Sequence, residues 1–233
     1  MPMPLLAPVA VASAILTLKS DTRPATVYVK KPRGTLYWGG AGLDGPYIQP
    51  QLAAFQRAGI EHVRVGLTNT AVASFGAVTG PILDAIRAGI LIRYKDDAEW
   101  TIASGMTDDA PQFNLIGYSY GSVLAAQTAH WYARQQHVVD HLVLIGSPID
   151  GDFLADLRSM PTIKRVIVKD LRQFGDPIYA GLSQHELILA APELKRQQDR
   201  RLGEGHFYYA HVVRDSVLRW KSLASELVDQ GVR

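Results

Sequence analysis

The chain has 233 residues, with 24 Lys and Arg against 22 Asp and Glu for a formal charge of +2. It is 47% hydrophobic and 20% charged, and it has no cysteine. This is ordinary globular usage, so a mainly disordered or fibrous chain is excluded. The interleaved charge argues against a nucleic-acid-binding face, and disulfides, thiolate catalysis and Cys-based zinc sites are ruled out. One domain that buries roughly 70–75% of the unfolded surface is expected at this length. Residues 4–18 are apolar and alanine-rich, but no Lys or Arg precedes them and Pro4 and Pro8 interrupt them. They read as part of an N-terminal arm or first strand over 1–25, rather than as a secretory signal or a membrane anchor. Residues 26–233 then form the single domain.

Residues 26–30 (TVYVK) alternate with period two and predict an outer strand. Residues 35–38 (TLYW) form a short buried-strand run that ends in Gly39-Gly40-Ala41-Gly42. A helix is predicted over 50–58, stopping at Gly59, followed by a strand over 61–67 and a helix over 81–88. Residues 90–100 are ambiguous by period. Strands are predicted over 113–118 (FNLIGY), 141–145 (HLVLI) and 165–168 (RVIV), with helices over 122–136 and 212–228. Residues 195–201 are the densest basic stretch, but Asp199 and Glu193 dilute it to a solvated helix face. Buried strands separated by amphipathic helices imply an α/β fold, a mostly parallel central sheet with helices on both faces. Reactive groups in such sheets gather at the carboxyl ends of the strands, which points to the Gly-rich joins after Trp38 and Ile116.

The sharpest feature is Gly117-Tyr118-Ser119-Tyr120-Gly121, a G-x-S-x-G run between a predicted strand and a predicted helix. That context confirms the motif. A strained turn lifts the serine oxygen above the sheet, and side chains two before and two after would collide, which requires Gly117 and Gly121. The helix amino terminus after Ser119 offers partial positive charge where an oxyanion forms.

On these residues the chain resembles the α/β-hydrolase superfamily, and within it the lipase, esterase and thioesterase-like members. The resemblance runs from about residue 26 to the end as spaced signatures. It implies a serine–histidine–acid triad, a two-amide oxyanion hole, and no metal or organic cofactor. Ser119 is then the nucleophile. The superfamily carries its base in a Gly-rich loop before the final helix, so Gly203-Glu204-Gly205-His206 nominates His206, with His211 and His185 behind it. His62, His130, His137 and His141 lie at the wrong places along the strands and helices. The acid should follow a late strand and precede the base. Asp176, in Gly175-Asp176-Pro177-Ile178, resembles that acid loop, with Asp170 and Asp150 as alternatives. Trp38-Gly39-Gly40-Ala41-Gly42 resembles the H-G-x-x-G loop with Trp in place of His. Its match makes Gly40 one oxyanion donor, with Ala41 second, and the Tyr120 amide the other. Asp44 and Tyr47 lie close enough in sequence to line the site.

Two further patterns carry nothing. Residues 40–45 (GAGLDG) have G-x-G-x-x-G spacing, but the strand predicted next, 61–67, ends with no acidic residue placed to read a ribose, and the pairs Asp96-Asp97 and Asp108-Asp109 lack a ligand pattern for metal. The expected activity is hydrolysis of a carboxylic ester, small-molecule or lipid, through an acyl-enzyme. It should rise with pH through about 6–8 as the base loses its proton. Rival readings are a membrane-directed phospholipase, an acyltransferase and a non-catalytic ligand binder of the same fold. Residues 151–164 and 184–202 are candidate lids over the site, and transient membrane-surface contact goes with the lipid reading. A soluble chain without a clear signal peptide is expected; compartment and oligomeric state stay open.

Overall fold

A computed structural model of the chain describes residues 27–29, 32–40, 45–65, 100–102 and 109–233. The expected arm over 1–25, the helix over 81–88 and most of the ambiguous stretch over 90–100 lie outside the described residues, as do Ala41 and Asp44.

Seven strands are described: β1 (Val27–Val29), β2 (Gly34–Trp38), β3 (Val63–Val65), β4 (Trp100–Ile102), β5 (Phe113–Tyr118), β6 (Val139–Ile145) and β7 (Ile163–Lys169). Five of them make one parallel sheet in the order β3-β2-β5-β6-β7. β1, expected as an outer strand, pairs instead with β4 in a separate parallel ribbon, with Val27 opposite Trp100. The helices are α1 (Ile48–Ala58), α2 (Tyr120–Arg134), α3 (Gly151–Ser159), α4 (Gln184–Arg200) and α5 (Ser216–Asp229). One-turn 3-10 helices lie at Arg172–Phe174 and Gly205–Phe207.

Strand residues alternate between two apolar cores. Leu36, Trp38, Leu115, Leu142 and Leu144 pack with Val123, Leu124, Ala129 and Tyr132 of α2 and Leu154 and Leu157 of α3. Tyr37, Ile116, Val143, Ile145 and Ile167 pack on the other face with Leu52 and Phe55 of α1 and Trp220, Leu223 and Leu227 of α5. Both faces are covered, so the central strands read as unbroken apolar runs in the sequence.

Helix starts differ from the periodicity for local reasons. α1 begins two residues before Pro50, because a proline in the first turn forfeits an N–H that has no partner inside the helix. α2 begins at Tyr120, directly after the turn at Ser119. α5 begins at Ser216 and not at 212. The Ser216 hydroxyl accepts from the Val213 N–H at 2.8 Å and donates to the His211 carbonyl at 3.3 Å, which holds the preceding segment in a turn.

The chain leaves β2 toward β3 on one side and β5 toward β6 on the other. The sheet order therefore reverses between β2 and β5. The crevice above that reversal, at the carboxyl ends, is where open α/β sheets receive ligands.

Candidate active site

Ser119 stands at the end of β5 with φ 54° and ψ −125°, a strained conformation for a residue with a side chain. The glycines on either side explain how the bend is possible. A Cβ on Gly117 would fall 2.2 Å from the Gly121 carbonyl oxygen and 2.4 Å from Ser122 Cα. A Cβ on Gly121 would fall 2.2 Å from the Gly39 carbonyl oxygen. The bend is further held by the Ser119 N–H, which donates to the Ile145 carbonyl at 2.9 Å.

The Ser119 hydroxyl lies 2.7 Å from His206 Nε2, and His206 Nδ1 lies 2.9 Å from Asp176 Oδ2. An ionised carboxylate only accepts, so the Nδ1 proton points at Asp176 and leaves Nε2 to accept from the serine. Asp176 Oδ1 accepts from the Ile178 N–H at 2.8 Å, which orients the carboxylate. The Tyr118 hydroxyl donates to the His206 carbonyl, and the two rings stack with centroids 5.7 Å apart. Three residues 119, 176 and 206, distant in sequence, are thus brought into one hydrogen-bonded line. The whole line is sealed: Ser119 and His206 are each 2% exposed and Asp176 4%. Ser119, whose oxygen is expected to stand proud above the sheet, is buried, with the Gly40 turn close beside it. A Cβ on Gly40 would sit 3.4 Å from the Tyr118 ring and 3.5 Å from Ser119 Cβ.

The Gly40 amide reaches the site region but donates to the Tyr47 hydroxyl at 2.8 Å. Tyr47 is thus a neighbour of the site, and its ring packs edge-on against Tyr118 with centroids 5.9 Å apart. Tyr120 follows Ser119 as the first residue of α2.

The alternative residues are engaged elsewhere. Asp170 accepts from the Arg172 N–H at 2.8 Å and pairs with its guanidinium. Asp150 caps α3 by accepting from the Phe153 N–H at 2.7 Å. His211 stacks on Phe207 and reaches Gln198 at 3.0 Å; burial, with Arg201 adding to it, pushes its pKa down to about 4. His185 is exposed on α4. Residues 151–164 form α3 and the start of β7 rather than a free flap. Residues 184–200 form α4, which packs through Leu187, Ala190 and Leu194 against Ile178 and Leu182.

Sequence reasoning does not single out Gly146 or Ser122. Gly146, with φ 51°, follows β6; a Cβ there would lie 3.3 Å from Asp176 Oδ2 and 3.6 Å from His206 Nδ1. The available signal is a glycine after an apolar strand. The Ser122 hydroxyl donates to the Ser119 carbonyl at 2.5 Å and meets the Ser147 hydroxyl at 2.7 Å. Its single proton serves the carbonyl, so Ser147 donates to Ser122 and braces the bend from β6.

Among the described residues no group of three His, Asp or Glu side chains is placed to hold a metal ion. Nor is any helix there long and apolar enough to cross a membrane. A family model described as the thioesterase domain matches residues 101–208, a stretch that contains Ser119, Asp176 and His206. No curated protein and no solved structure matches the chain.

Proposed function

We propose that this chain, an ester-cleaving hydrolase of the α/β-hydrolase type, cleaves carboxylic esters with Ser119 as nucleophile, His206 as general base and acid, and Asp176 as the group that orients the base. The observation that carries this reading is the 2.7 Å contact between the Ser119 hydroxyl and His206 Nε2, backed by the 2.9 Å contact from Nδ1 to Asp176.

The steps follow from these positions. Ser119 Oγ attacks the ester carbonyl carbon while its proton passes to His206 Nε2. The imidazolium is stabilised by Asp176, whose carboxylate keeps its own charge. The carbonyl π electrons move to oxygen, and that oxyanion is met by the backbone amides of Tyr120 and Gly40 at the carboxyl ends of β5 and β2. Gly40 becomes available as the Tyr47 hydroxyl gives up its place; Ala41 is the alternative donor. The tetrahedral centre collapses, the bond to the leaving oxygen breaks, and His206 Nε2 returns the proton to it. Water then attacks the acyl carbon while His206 Nε2 takes its proton, the acyl–Oγ bond breaks as that proton passes to Ser119 Oγ, and the carboxylic acid departs. The partner is a small-molecule or lipid ester.

The match to the thioesterase domain favours a second substrate class, an acyl thioester. The same atoms would act, and a thiolate leaves with less need of the imidazolium proton because thiols are more acidic than alcohols.

The test is fluorophosphonate labelling followed by a series of p-nitrophenyl esters and acyl thioesters of matched chain length. Wild type is labelled at Ser119 and Ser119→Ala is not. Absence of labelling on a folded wild-type protein overturns the reading. The ratio of kcat/KM for the ester and thioester series decides between the two substrate classes.

A further inference from the structure

The buried stripe of α4 is Leu187, Ala190, Ala191, Leu194 and Gln197, spaced to face the body of the protein. Four of the five are apolar. Gln197 is 1% exposed, and a buried amide is costly unless all of its groups are bonded. Packing alone would be served by leucine or methionine. The Gln197 amide is instead saturated. Its Oε1 accepts from the His206 N–H at 2.9 Å, and its Nε2 donates to the Gly175 carbonyl at 2.9 Å and to Glu193 Oε1 at 2.7 Å.

The two backbone partners are not arbitrary. The His206 N–H lies in the first turn of the 3-10 helix Gly205–Phe207, and the Gly175 carbonyl belongs to the residue that caps Arg172–Phe174. Such helix ends leave donors and acceptors that need a partner from outside. Gly175 directly precedes Asp176. One amide therefore ties the loop of the base to the loop of the acid. Gly205 permits this closeness: it has φ 54°, and a Cβ on it would lie 2.2–2.5 Å from the Gln197 amide atoms.

We infer that Gln197 is a positioning residue, an amide bracket that sets the distance between the His206 and Asp176 loops and so keeps the imidazole in line with Ser119. The inference rests on the serine-hydrolase reading above. It assigns α4 a role at the site: the helix is clamped to the base and acid through its last turns, so movement of those turns would be felt at the imidazole.

The test compares Gln197→Met, Gln197→Asn and Leu194→Met with wild type. Gln197→Met keeps length and volume but cannot form the bracket. It loses roughly 10- to 100-fold in kcat and in the rate of fluorophosphonate labelling, with KM little changed. Loosening the Asp176–His206 pair removes a nearby negative charge that favours the imidazolium. The acid limb of its kcat/KM profile therefore moves to lower pH by about half a unit or more. Gln197→Asn keeps the amide but is one methylene too short to reach both the His206 N–H and the Gly175 carbonyl, and gives a smaller loss with a smaller shift in the same direction; it carries the test if Gln197→Met does not fold. Leu194→Met disturbs packing on the same stripe and leaves rate and profile unchanged. A folded Gln197→Met, or in its stead Gln197→Asn, with wild-type kcat and an unmoved acid limb overturns the bracket. Absence of labelling in wild type would sink the hydrolase reading instead, so the two failures are distinct.

Discussion

The parallel sheet carries a buried histidine network at each end, and β5 takes part in both. At the carboxyl end His206 lies between a hydroxyl, Ser119 at 2.7 Å, and a carboxylate, Asp176 at 2.9 Å. At the amino end His141 Nδ1 meets the Asn114 side-chain carbonyl at 2.9 Å. Asn114 Nδ2, with two hydrogens, lies within hydrogen-bond distance of three acceptors, the Thr35 hydroxyl at 3.0 Å, Gln112 Oε1 at 3.1 Å and the Arg233 carbonyl at 2.9 Å. Both histidines are more than nine-tenths buried. What differs is the partner chemistry. His206 has a hydroxyl on one nitrogen and a carboxylate on the other. His141 has a neutral amide, and burial first, with Arg165, Lys164 and Arg233 adding to it against Asp140, holds its pKa below the usual imidazole value. The amino-end network therefore serves to pin the C-terminal residues to the sheet, and the comparison shows that burial of a histidine says nothing about chemistry until its two neighbours are named.

The sharpest way to break this contrast is to truncate both rings. His206→Gln lowers ester hydrolysis by on the order of 10⁴- to 10⁶-fold, whereas His141→Gln leaves it within about twofold because the two rings lie at opposite ends of the sheet. A steady-state assay of both variants decides it; a large loss in the His141 variant would merge the two ends into one functional unit. Asn114→Ala sharpens the structural half. It strands His141, Thr35 and the Arg233 carbonyl together, so unfolding free energy falls by roughly 1–3 kcal/mol, seen as a lower denaturant midpoint with activity retained below the transition.

A pH series divides the ends by a smaller effect. His141 and His211 both have lowered pKa values in the folded protein, about 4 for His211. The unfolded chain, with imidazoles near about 6.5, binds more protons in that window. Their stabilisation is complete above about pH 6.5 and is lost as pH falls toward the folded values. The denaturant midpoint of wild type therefore drops between these limits, and His141→Gln with His211→Gln flattens the drop. The smallest expected effect concerns the oxyanion side. Tyr47→Phe removes the hydroxyl that holds the Gly40 amide and raises kcat by roughly two- to tenfold. A fall of the same size would place the Tyr47 hydroxyl among the groups that assist the substrate.

Much of the fold was legible because it rests on local pattern. The runs 113–118 and 141–145 are apolar on both faces and became β5 and β6, the centre of the sheet. Gly117 and Gly121 were readable from sterics alone, since any bend that exposes a residue between strand and helix must clear both flanks. The other ends of the elements were less legible. Periodicity runs through Val212 and Val213, yet the Ser216 hydroxyl turns the chain there. The pairing of β1 with β4 depends on two segments over seventy residues apart, which no local pattern reports.

By itself the sequence determined the parallel α/β architecture, the serine bend and the short roster of acids and bases, because these follow from periodicity, composition and the sterics of single turns. Tertiary structure alone decided which carboxylate faces His206, that Asp170 and Asp150 cap turns instead, that Tyr47 holds the Gly40 amide, and that Gln197 joins two loops. Those are contacts between chain segments brought together by packing. A hydrogen bond depends on a few tenths of an ångström between groups whose distance along the chain carries no information about their distance in space.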